Sequence, residues 1–158
     1  MKLWLPLLLS IFILSGVIFS CKKSSNSPIP FLKFIALSPD SIKMLSKDTT
    51  FLTFHFSDGD GDLGHDPSSG NYDVFLKDMR DDRIDTLKFF FPPIPDGAID
   101  PIDGITGDGA VALQSSRIVI RQDSVHTFRD TVIYKMWIVD KAQHWSNEIK
   151  TTPLYLHR

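Results

Sequence analysis

From residue 31 onward, apolar and polar side chains alternate with a period of two, and this period narrows the fold more than any other feature. In residues 49–56, Leu52, Phe54 and Phe56 share one face, with Thr53 and His55 on the other. In residues 131–139, Val132, Tyr134, Met136 and Ile138 share a face. Tyr72, Val74 and Leu76 point inward in residues 72–78, and Ile118 and Ile120 in residues 117–121. Runs 31–37, 87–91 and 149–156 complete the set, separated by Gly, Pro, Asp and Ser clusters. Short β-rich runs with such punctuation predict an all-β chain folded as one antiparallel β-sandwich. No helix is expected beyond one turn near residues 39–46. Residues 92–110, rich in Pro, Gly and Asp, are expected to form a functional loop or a covering flap.

With 158 residues, the chain is one domain long and too short for a two-domain cofactor enzyme. Its net charge of −2 argues against a nucleic-acid partner. The single cysteine, Cys21, excludes an internal disulfide. Its position is informative. Lys2 and the apolar run 3–14 read as an export signal over residues 1–20. A membrane span needs about 20 apolar residues, which this run reaches only by counting Ser15, Gly16 and Ser20. Ile18-Phe19-Ser20-Cys21 resembles the lipobox of bacterial lipoproteins, with Phe19 bulky for its place. The resemblance implies cleavage before Cys21, lipidation of its thiol and a membrane partner through the acyl chains. Residues 21–30 then form a lipidated tether, and 31–158 the domain. Lys22 after the cysteine implies, by resemblance to Gram-negative lipoproteins, the outer membrane, with either face open. The alternative is a plain secretory signal.

Lettered as immunoglobulin-like strands, run 49–56 is B, 72–78 is C, 131–139 is F and 149–156 is G. The B–C and F–G loops then share a pole. The B–C loop opens with Ser57-Asp58-Gly59-Asp60-Gly61-Asp62-Leu63-Gly64, three carboxylates alternating with small residues. Glycines with positive φ let such a loop curl so that carboxylates converge on one hard cation. Asp58, Asp60 and Asp62 are the candidate metal ligands, joined by Asp140 from the F–G loop, and calcium is the candidate ion. Asn147, further along the F–G loop, is an additional candidate, and Asp66 and Asn71 are weaker ones. An EF-hand does not fit: Leu63 stands at its glycine position, Ser69 at its bidentate glutamate, and a strand precedes the loop. A solvated acidic turn is the competing reading. Asp96, Asp100, Asp103 and Asp108 follow no metal-binding spacing.

The run Phe54–Gly64 is similar to a recurring feature of small Bacteroidota lipoproteins. The stretch Trp137–Asn147 is similar to the D-x-A-G-N-x-S-N close of bacterial immunoglobulin-like and cadherin-like repeats, with Gln143-His144 in place of Gly-Asn. The resemblance spans most of residues 31–156. It implies an immunoglobulin-like (fibronectin-type) fold in an exported, anchored protein, and no catalytic activity.

The residues point the same way. The five histidines are scattered, no nucleophile elbow or phosphate loop is present, and the only thiol is at the anchor. His65, beside the acidic loop, reads as a surface residue. A binding face is the stronger signal. Phe75, Trp137 and Tyr155 point outward from strands C, F and G and would form an aromatic stripe, unless the 92–110 flap covers it. Trp145 is a separate loop aromatic. The expected function is a non-catalytic envelope lipoprotein, a binding or structural module with a calcium-stabilised pole. The alternatives are a carbohydrate-binding accessory of a glycan-uptake system and, third, a small hydrolase. An envelope protein or a glycan is the expected partner.

Overall fold

A computed structural model describes residues 27–121 and 128–158. The signal, Cys21, the first part of the tether and His126 lie outside the described residues. The chain is all-β and mostly antiparallel. Its strands are β1 (Phe31–Ser38), β2 (Ser41–Lys43), β3 (Thr49–Asp58), β4 (Val74–Asp78), β5 (Leu87–Phe89), β6 (Ile105–Gln114), β7 (Arg129–Val132), β8 (Tyr134–Ile138), β9 (Ile149–Lys150) and β10 (Leu154–His157). They form three sheets, ordered β1-β3-β6, β2-β10-β7 and β5-β4-β8-β9. Among the described residues the one parallel pair is β2 with β10.

The inward faces share a single apolar core. Leu52, Phe54 and Phe56 of β3 meet Val74 and Leu76 of β4, Met136 and Ile138 of β8, and Leu154 and Leu156 of β10. Leu52, Leu76, Met136, Ile138 and Leu154 are fully buried. Burying each such side chain is worth roughly 1.5–3 kcal/mol, and the two-residue period aims them all at one layer.

Four local expectations are corrected. Residues 105–110, expected to be irregular, open the ten-residue strand β6, which pairs with β3 along its whole length. Its inward positions include Gly107 and Gly109, which lie under the rings of Phe56 and Phe54; a Cβ on Gly109 would sit 2.7 Å from the Phe54 ring. Residues 117–121, expected to be a strand, are not assigned to one. A 3₁₀ turn at Ser115–Arg117 leads into coil, although Ile118 is buried as expected. Tyr72 is exposed and Asp73 fully buried, the reverse of expectation. The Asp73 carboxylate turns inward to accept the backbone N–H groups of His65 and Phe91, each at 2.9 Å, and this outweighs the period. Val139, expected outward, is buried where it bridges to Trp145.

At the end of β4 away from the acidic loop lies a buried ionic network. The Arg80 side chain is 5% exposed, bonds Asp78 through Nε at 3.0 Å and Asp130 through Nη1 at 2.6 Å, and donates to the Val119 carbonyl. Arg121 also bonds Asp130. Together these contacts hold the coil after β6 against β4 and β7.

Candidate metal centre

β3 ends at Asp58, and the chain then turns sharply back. Gly61 makes the turn with φ of +68°, a backbone state that an L side chain enters only under strain. Gly59 is not among the residues with positive φ. Leu63, which breaks the EF-hand pattern, is fully buried in the core and so anchors the loop. From the other side, Gly104 takes φ of +70° and lies against the loop; a Cβ there would stand 2.1 Å from the Asp58 carbonyl oxygen. The long segment after Phe91 therefore buttresses the acidic loop, and Ile99 fits against Gly61.

Asp140 arrives at the same pole from the end of β8. The two loops are stitched together: the Asp62 carboxylate accepts the Ala142 N–H at 2.9 Å. Asp140 accepts the His144 backbone N–H at 2.7 Å, and its second oxygen lies 2.9 Å from His144 Nδ1. Each of Asp58, Asp60, Asp62 and Asp140 offers one oxygen, and these lie within 4.8 Å of one another. All four carboxylates singled out from the sequence are thus brought together, and the group can hold a metal ion.

The electrostatics mark the cluster as incomplete by itself. Asp58 is 1% exposed, and neither of its oxygens has a hydrogen-bond partner; Oδ1 of Asp62 is likewise buried without one. Burial, then repulsion from Asp60, Asp62 and Asp140, pushes the Asp58 carboxyl up to about 7. Burial and the charges of Asp140 and Asp60 raise Asp62 as well. The bond to Asp140 raises His144. A buried carboxylate without a donor costs free energy that a bound cation removes.

Several of the remaining candidates are employed elsewhere. Asn147 clips β1, accepting the Leu32 N–H at 2.7 Å and donating to the Leu32 carbonyl. Asp66 caps the 3₁₀ turn at Pro67–Ser69. Asp100 caps its own turn through the N–H groups of Ile102 and Asp103, and Asp108 bonds His55 on the neighbouring strand. His65 is largely enclosed and bonds Asp73 at 2.5 Å.

The aromatic residues divide. Phe75 and Trp137 are cross-strand partners whose rings stack 5.7 Å apart and 6° from parallel. Tyr155 stands on β10, in a different sheet. The third ring over the pair is Trp145, 6.0 Å from Phe75 and 6.5 Å from Trp137. No sequence period could place it there, because the turn from Asp140 to Ser146 brings it back over the sheet. The long segment packs on β3, β6 and the acidic loop. No protein-family model, curated protein or solved structure matches the chain.

Proposed function

We propose that this chain is a non-catalytic envelope lipoprotein whose domain is an immunoglobulin-like sandwich stabilised at one pole by calcium. The observation that carries the reading is Asp58: a fully buried carboxylate, unpartnered, in a cluster of four. A donor set made only of carboxylate oxygens suits a hard cation. Oxygens bound to one calcium at 2.3–2.6 Å lie at most about 5 Å apart, which the cluster satisfies. Magnesium keeps several waters and favours phosphate partners over an all-protein cage. The ion would tie the β3 loop to the β8 loop and leave chemistry to other proteins.

Strand order supports the immunoglobulin-like assignment. In such a fold β1, β3 and β6 would correspond to strands A, B and E, and β5, β4, β8 and β9 to C′, C, F and G. The F–G pair is broken midway into β8–β9 and β7–β10, and β2 runs parallel to β10 as an A′ strand does. The lipobox resemblance supports anchorage at Cys21. Gly59 N–H donates to the Ser27 carbonyl at 2.8 Å, so the tether departs from the acidic pole. Five residues separate Ser27 from Cys21, a reach of at most about 22 Å, so the anchor would keep this pole facing the bilayer.

In thermal unfolding of metal-free protein, millimolar calcium is expected to raise the midpoint by several degrees, and Asp60→Ala to abolish the rise. An unchanged midpoint would reduce the loop to an acidic turn. For the anchor, labelled palmitate should enter the parent and not Cys21→Ser; equal labelling of both would refute it.

A further inference from the structure

Next to the acidic pole, a cleft of about 250 Å³ opens between the loop before β4 and the loop after β8. The aromatic residues Tyr72, Phe75 and Trp145 and the polar residues His65, Asn71, Lys88 and Gln143 line it. We infer that this cleft is a binding site for a neutral sugar ring of a glycan. The inference is independent of the metal and of the lipid anchor.

Three observations carry it. The first is the arrangement of the rings. Trp145 is 59% exposed and lies within 22° of parallel to both Phe75 and Trp137. Tyr72, also exposed, is held by a stack on Phe90 at 4.7 Å. Near-parallel rings offer flat faces to a flat partner. Sugar rings present flat C–H faces to aromatic rings and hydroxyls to a polar rim.

The second observation is strain at Gln143. Its φ is +68°, in the left-handed region that favours glycine, and its N–H is tied back to the Asp140 carbonyl. A glutamine is kept where glycine would be relaxed, and its amide is placed on the rim of the cleft. Backbone strain concentrates where a side chain is needed for function. Asn71, which lines the same cleft, supplies a second amide, and amides both donate to and accept from hydroxyls.

The third is charge. Lys88 and His65 are the residues lining the cleft that can carry a positive charge, His65 is engaged by the Asp73 carboxylate, and the remaining lining residues carry no charge. A lining with so few cationic groups offers too little to pair a nucleotide or an acidic polysaccharide, and so favours an uncharged glycan.

The test is affinity electrophoresis of the full-length protein through gels containing xyloglucan, arabinoxylan, galactomannan or a β-1,3-glucan, with polygalacturonate as the acidic comparison. At least one neutral glycan is expected to retard the protein, and polygalacturonate to leave it unretarded. Trp145→Ala, an exposed loop change outside the core, should weaken retention at least tenfold. Gln143→Gly should weaken it about fivefold while leaving the thermal midpoint equal or higher, because the strain is released. No retardation by any neutral glycan would overturn the inference. So would stronger retention by polygalacturonate, or retention that survives both substitutions.

Discussion

Asp58→Asn is expected to stabilise the metal-free protein and to destabilise the calcium-loaded one, a reversal of sign that a purely structural carboxylate would not produce. In chelator at pH 8 the parent must hold Asp58 ionised, buried and repelled by three neighbouring carboxylates. Its folded-state pKa of about 7 stands above the ordinary value of 3.8. The folded state therefore binds the proton more tightly than the unfolded chain, and stability falls as pH rises from about 4 to about 7. The full penalty, on the order of 4 kcal/mol, is present above that window. Asparagine keeps the shape, removes the charge and lends an amide donor to the neighbouring carboxylates. Its midpoint in chelator should exceed the parent's by several degrees at pH 8 and match it near pH 4. In saturating calcium the order inverts, because the variant has lost a charged ligand. Thermal scans at both pH values, with and without calcium, read all four arms. A variant less stable than the parent under every condition would show that Asp58 is a structural group and not a ligand.

The largest destabilisation is expected at the other end of the sheet. Arg80→Ala leaves Asp78 and Asp130 buried without the guanidinium that both now share. Removing one partner from a buried ionic network costs about 3–5 kcal/mol, since the remaining charges cannot regain water. Arg80→Lys should recover only part of this, because an ammonium cannot bond two carboxylates and the Val119 carbonyl with a rigid planar fork. Urea denaturation measures both. A loss below about 1 kcal/mol for Arg80→Ala would mean that water reaches the network.

The strands that were legible in the sequence are those whose inward faces are filled by large side chains. β3 and β8 alternate cleanly, and every inward residue assigned there is buried. β6 was not legible, because Gly107 and Gly109 occupy its inward positions. The apolar volume opposite them comes from Phe56 and Phe54 on the next strand, so the pattern belongs to the pair and not to either strand alone. Asp73 was misplaced because two backbone donors from distant turns claim its carboxylate. The acidic centre was legible because its spacing is local and because lettering the strands put Asp140 at the same pole. The Arg80 network and the Trp145 stack were not, since each joins residues that meet only after the sheets have formed.

The most direct measurement is isothermal titration of calcium into chelator-treated full-length protein. One ion per chain is the expected result, with the heat lost in Asp60→Ala and in Asp58→Asn, since the four carboxylates form a single cluster. Absence of heat in the parent, or heat retained in both variants, would contradict a calcium centre at this pole.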